Sequence, residues 1–269
     1  MSVILNAIIS VIIVSLVSLV GIFSILLRKK NTQKFLLLLV SLSAGTLFGG
    51  AFLHLLPEVV ADHGFTIQIS LLVLAGVMAF FVLEKFIHWG HCHHHPAFDF
   101  LHSHKHSTEK NHHHHEKENP KSQIAVLNLL GDGIHNFLDG LVIAGSYLVS
   151  PAAGIATTIA VVIHEVPQEI ADFGVLLYAG LSKKNALLLN FASATISILG
   201  AVVGLWLGSN SDTFIPFILP FAAGGFLYIA GSNLVPELHK KCDVAIESFW
   251  HFVMMIVGIG LMYGLTFLG

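Results

Sequence analysis

Residues 153–179, AGIATTIAVVIHEVPQEIADFGVLLYA, form a run whose two ends are apolar and whose middle carries His164, Glu165, Gln168, Glu169 and Asp172. At about 1.5 Å per residue such a helix outspans a hydrocarbon core of roughly 30 Å. The whole chain is built on this scale. Of its 269 residues 55% are hydrophobic and only 11% are charged, whereas a soluble globule has about a quarter of its residues charged. Most of the surface therefore faces lipid.

Eight hydrophobic runs recur, at 3–27, 35–57, 67–89, 124–149, 153–179, 186–208, 214–238 and 246–268. They predict an all-α polytopic membrane protein of eight transmembrane helices. Residues 1–89 hold spans one to three, 124–180 spans four and five, and 181–269 spans six to eight. Between them, residues 90–123 are polar, rich in His and Lys, and predict a flexible loop. The first run has no basic residue before it and Arg28, Lys29 and Lys30 after it. It is also too long for a signal h-region, so it reads as a retained helix.

Basic residues stay on the cytoplasmic side of short loops. With eight crossings and an outside N-terminus, all 13 Lys and Arg residues fall on one side, which is then the cytoplasm. The opposite side offers Glu58, Asp62 and Asp212. Both termini are predicted to be non-cytoplasmic. Cys92 and Cys242 fall on the cytosolic side, where thiols stay reduced, so no disulfide is expected. The short chain without a targeting extension suggests a plasma (inner) membrane, and no nucleic-acid partner is expected.

Function shows in spans four and five, which carry Asp132, His135, Asn136, Asp139, His164, Glu165, Gln168, Glu169 and Asp172. Each ionised residue at mid-membrane costs about 2.5–3.5 kcal/mol on insertion scales. His135 and His164 each lie eleven residues into their runs, about 16 Å deep. On span four His135, Asn136 and Asp139 share a face; on span five His164, Gln168 and Asp172 form one ladder and Glu165 and Glu169 another. A tight turn around Pro151 brings the faces together. Imidazole and carboxylate are ligands for Zn²⁺, Fe²⁺ or Mn²⁺, and a dication offsets the acid excess. The plain alternative is a set of interhelical bonds, but neither run holds a Lys or Arg to pair with the acids. Pro167 adds a clue, because it leaves the carbonyl of Ile163 without its helical partner.

The segments His135-Asn136-Phe137-Leu138-Asp139-Gly140 and His164-Glu165-Val166-Pro167-Gln168-Glu169-Ile170-Ala171-Asp172 resemble the two signature helices of the ZIP family of metal transporters. The resemblance extends to Ala51-Phe52-Leu53-His54-Leu55-Leu56-Pro57-Glu58 and to Ala223-Gly224-Gly225-Phe226-Leu227-Tyr228-Ile229-Ala230, and is strongest to a histidine-rich subgroup. It implies a 3+2+3 arrangement with an inverted repeat, a homodimer, and alternating access that carries a divalent metal, zinc foremost, into the cytosol. Iron, manganese and cadmium are further candidates. The metal is the substrate; no cofactor and no catalytic residue are implied. The implied transport site is His135, Asn136, Asp139, His164, Glu165, Gln168 and Glu169, supported by Asp132, Asp172 and Ser197. Where the subgroup has His, this chain has Gln168, a poorer and harder ligand. Where some members place a second-site Glu on span six, this chain has Ser197.

Gly49-Gly50-Ala51-Phe52-Leu53 followed by Pro57-Glu58 recurs loosely as Gly224-Gly225-Phe226-Leu227 followed by Pro236-Glu237. His54 and Glu58 would then line the entrance and Glu237 and His239 the exit. Pro-Glu pairs that simply end two helices would look the same. In the loop, His91, Cys92, His93, His94, His95, His102, His104, His106, His112, His113, His114 and His115 could capture or sense arriving metal, against an inert linker. Two other classes remain open. The stretch from His164 to Gln168 is one residue short of the HExxH protease pattern, though the aspartate motif then stands in reversed order. A proton-coupled exporter also carries histidine loops, but usually on six helices with both termini inside.

Overall fold

The computed structural model describes residues 3–25, 30–92, 120–211, 213–239 and 245–268. All regular structure among them is helical. Helix α1 (Val3–Val17) continues as a 3-10 helix (Ser18–Ile25). Helix α2 (Lys30–Gly50), a π-helical turn (Ala51–Leu55) and α3 (Leu56–His63) make one rod. After α4 (Ile67–Cys92), α5 (Pro120–Val149) and α6 (Pro151–Tyr178), helices α7 (Lys183–Ala194) and α8 (Ile196–Asn210) meet at Thr195. Helix α9 (Phe214–Tyr228), a second π-helical turn (Ile229–Leu234) and α10 (Val235–His239) form another rod, and α11 (Ala245–Leu265) ends in a 3-10 turn (Thr266–Leu268).

Six of these rods are long and apolar enough to cross a membrane. Helices α5 and α6, at 30 and 28 residues, have the length. Their polar residues lower the hydropathy, so they fall outside that set. Helices also outrun the hydropathy limits: α4 continues to Cys92, and α5 starts at Pro120, inside the stretch read as loop. Hydropathy marks where lipid ends, whereas backbone hydrogen bonding carries a helix on into water. The loop histidines from His93 to His115 lie outside the described residues.

Helices α5 and α6 form the centre. Ser150 joins them: its hydroxyl accepts from the Ala153 amide at 3.0 Å while Pro151 opens α6, so the chain reverses in a single residue. Around this hairpin α8 packs on α5, α1 and its 3-10 extension on α6, and α2 on α6. Outermost are α4, held by α9, and α11, held by α2; they present Leu71, Leu74, Met78, Phe252 and Ile256 outward, as lipid-facing helices do.

Three crossings are closed by glycine. A Cβ on Gly140 would overlap the Ser197 carbonyl oxygen, and one on Gly200 the Phe137 carbonyl, which fastens α5 to α8. Gly45 meets Met255 and Gly258 meets Leu42 between α2 and α11; Gly224 meets Val73 and Gly76 meets Phe221 between α4 and α9. Between apolar helices in lipid there is little hydrophobic drive to associate, so backbone-to-backbone contact of this kind does the holding.

Candidate metal centre

On α5, Asp132, His135, Asn136 and Asp139 follow i, i+3, i+4, i+7 spacing and share one face. On α6 the facing turn supplies His164 and Glu165. Four of these side chains converge. His135 Nε2 lies 3.2 Å from His164 Nε2, 3.5 Å from Asp139 Oδ2 and 3.3 Å from Glu165 Oε1. His164 Nε2 lies 3.3 Å from Asp139 Oδ2 and 3.5 Å from Glu165 Oε1. The sixth separation, between the two carboxylates, is within 4.8 Å.

Five near-equal edges describe a tetrahedron. With a sixth edge equal to the other five, its centre lies about 2.0–2.2 Å from each corner, the distance at which Zn²⁺ binds imidazole nitrogen and carboxylate oxygen, and with the sixth at its 4.8 Å bound about 2.4 Å. All four residues are buried, with Asp139 2% and Glu165 1% exposed, so water does little to offset their charge. Among the described residues no group meets hydrogen-bond geometry with Asp139 Oδ2 or either Glu165 carboxylate oxygen, the imidazoles being their nearest polar neighbours. Carboxylate acceptors converging with two imidazole nitrogens form a group that could hold a metal ion.

The surrounding groups fix the rings. His164 Nδ1 is 3.1 Å from the Ala160 carbonyl. Donation there leaves the Nε2 lone pair for a ligand. Phe226 packs edge-on against His164 and Phe80 against His135, with centroids 5.9 and 6.0 Å apart. Asn136 turns back along its helix and donates to Asp132 Oδ1 at 2.9 Å and to the Asp132 carbonyl at 3.1 Å.

Among the described residues, the voids on the two sides of the centre differ in size. A cavity of about 570 Å³ reaches His135 and Asp132, passes Gln168 and Asp172, and runs on to Glu84 and Glu237. Toward the other end of the bundle, Asp139 borders a void of only about 10 Å³ among Phe80, Leu138, Val142, Ile218 and Phe226. That is about one probe sphere, the least space a water needs.

Other residues singled out by sequence lie apart from the four. Glu169 is fully buried but turns to α7, where Asn190 Nδ2 donates to its carboxylate. Nothing in the sequence marked Asn190, a single amide in an apolar run. Ser197 Oγ bonds the Ala194 carbonyl at 2.8 Å and Ser15 Oγ at 3.0 Å, within the α1–α8 contact. His54, on the first π-helical turn, is buried with Nε2 2.9 Å from the Met262 carbonyl of α11. Glu58 is half-buried on α3, and Glu237 and His239 are exposed on α10.

Comparison with known proteins gives one answer. The family model described as "ZIP Zinc transporter" matches residues 1–266. The chain is 31% identical over 278 residues to zinc transporter zipt-7.1 of Caenorhabditis briggsae, covering 85% of this chain and 70% of that one. It is 35% identical over 239 residues to zinc transporter ZIP13 of Pongo abelii, covering 83% and 65%. With zinc transporter YKE4 of Saccharomyces cerevisiae the identity is 29% over 269 residues, covering 94% and 77%.

Proposed function

Because this chain belongs to the ZIP zinc transporter family, whose members are metal transporters and not enzymes, we propose that it carries Zn²⁺ into the cytosol by alternating access. The carrying observation is the tetrahedron of His135, Asp139, His164 and Glu165, whose edges suit a bound Zn²⁺. Gln168 stands next along the cavity wall. Asn136 and Glu169 complete the proposed transport site, with Asp132 and Asp172 on the way out.

The cavity reaches Glu237 and the end of the bundle that charge bias assigns to the cytoplasm. We therefore read the conformation as inward-facing: metal has entered past His54 and Glu58, the apolar residues around Phe226 have closed behind it, and release runs past Gln168 and Asp172 toward Glu237 and His239. Eight crossings in a 3+2+3 order agree with the glycine contacts. The same separation along the chain divides Leu42 from Phe221, Gly45 from Gly224 and Gly21 from Gly200, and each member of a pair touches an equivalent neighbouring helix. A homodimer and metal capture by the loop histidines belong to the same proposal.

Purified protein in liposomes should take up Zn²⁺, and His164→Ala, while still inserting, should lose that uptake. Normal uptake by this variant would take the centre off the route. The protease reading falls with the family assignment.

A further inference from the structure

Pro167 has no amide hydrogen, so the carbonyl of Ile163, one turn earlier in α6, has no intrahelical partner. Ile163 immediately precedes His164. From the neighbouring helix α2, Ser43 Oγ donates to this carbonyl at 2.8 Å. Ser43 is fully buried. Its helical neighbours behave differently: Ser41 Oγ returns to the Leu37 carbonyl at 2.7 Å and Thr46 Oγ1 to the Ser43 carbonyl at 3.0 Å, both within α2.

We infer that Ser43 is a positioning residue of the metal centre: its hydroxyl replaces the missing Pro167 amide, fixes the bend of α6, and so aims His164 and Glu165 at His135 and Asp139. The inference rests on the reading that these four residues hold a dication. The physical reason is local. An unpaired carbonyl inside a bundle is costly, and without Ser43 the cheapest remedy is at hand. Pro167 and Val40 of α2 both line the large cavity, so a small opening of the α2–α6 contact would let water reach Ile163. That opening would tilt the turn of α6 that starts at His164. With ligand atoms 3.2–3.5 Å apart, the tetrahedron has little tolerance for a tilt.

Co²⁺ binding to the purified full chain tests this, because its visible band reports both occupancy and coordination geometry. Ser43→Ala should weaken Co²⁺ binding about tenfold, the scale of one buried hydrogen bond left unmade, and should shift the band away from its tetrahedral form. Ser43→Thr, which keeps the hydroxyl, should behave as the wild type, and so should Ser41→Ala. In a Pro167→Ala background the new amide satisfies Ile163, so Ser43→Ala should there cost nothing further. Equal losses with Ser43→Ala in both backgrounds, or an equal loss with Ser41→Ala, would assign the effect to packing and overturn the proposal. An unchanged Ser43→Ala spectrum and affinity would do the same. A wild-type protein without any cobalt band would instead remove the centre itself.

Discussion

Asp139→Asn separates a metal centre from an ion-pair cluster, because the two predict different responses to zinc. The substitution keeps shape and removes the charge of a side chain 2% exposed, whose Oδ2 is 3.3 Å from His164 Nε2 and 3.5 Å from His135 Nε2. Structural zinc sites are worth about 10–16 kcal/mol for four ligands, or roughly 3 kcal/mol per ligand. Losing that much weakens binding about a hundredfold. With Zn²⁺ held at about 1,000 times the wild-type Kd, the wild type should gain about 4 kcal/mol of stability, and the variant at the same concentration only about 1.4 kcal/mol. Thermal unfolding in detergent with and without Zn²⁺ measures both. If the cluster were a set of ion pairs, the substitution would destabilise the metal-free protein by about 3–5 kcal/mol and zinc would change neither protein. Equal zinc stabilisation of wild type and variant would refute the assignment of Asp139 as a ligand.

Three further outcomes follow from the same geometry. Imidazoles and carboxylates bind metal only when deprotonated, so Zn²⁺ affinity should fall on acidification; titration calorimetry at a series of pH values checks it, and a pH-independent affinity would contradict it. Gln168→His places an imidazole on the cavity wall beside His135 and should raise the ratio of Zn²⁺ to Mn²⁺ affinity, on the order of tenfold as for other ligand-shell changes, read by competition binding. Gly200→Ala sets a methyl against the Phe137 carbonyl and should cost about 1–3 kcal/mol in thermal unfolding, whereas Gly174→Ala, with no described atom outside its own turn of helix within 4 Å, should cost almost nothing.

The helical architecture was legible because lipid imposes it: a run of the right length and hydropathy has few other ways to satisfy its backbone. Helices α5 and α6 were legible for a second reason, since histidines and acids in otherwise apolar runs have no use for lipid. What escaped reading is what depends on a neighbour. Asn190 and Ser43 are single small polar residues in apolar helices, and only the fold reveals that one meets Glu169 and the other Ile163. The π-helical turns escaped too. Each ends two residues before a proline, Pro57 or Pro236, and the prolines were visible. The extra residue in the turn that precedes each leaves no mark on hydrophobic period. The sequence places His54 near Pro57-Glu58, and the fold adds that its π-helical turn sets the ring against the Met262 carbonyl.

The difference in size between the two voids bears on how the proposed centre could release a dication. In the proposed cycle, once the dication leaves, Asp139 Oδ2 and both Glu165 oxygens complete no hydrogen bond among the described residues, the two imidazoles standing 3.3–3.5 Å from Asp139 Oδ2 and Glu165 Oε1, and the void beside Phe226 has space for about one water. Burying uncompensated carboxylates costs several kcal/mol each, so a centre closed on both sides cannot stay empty and charged. The 570 Å³ cavity relieves this by bringing water to His135 and Asp132. Under the proposed function, release to the cavity and hydration of the ligands would therefore be one event. In that proposed cycle the residues around Phe226 would open to the far side only once a new dication, or protons, had taken over the charge that the cavity water screens.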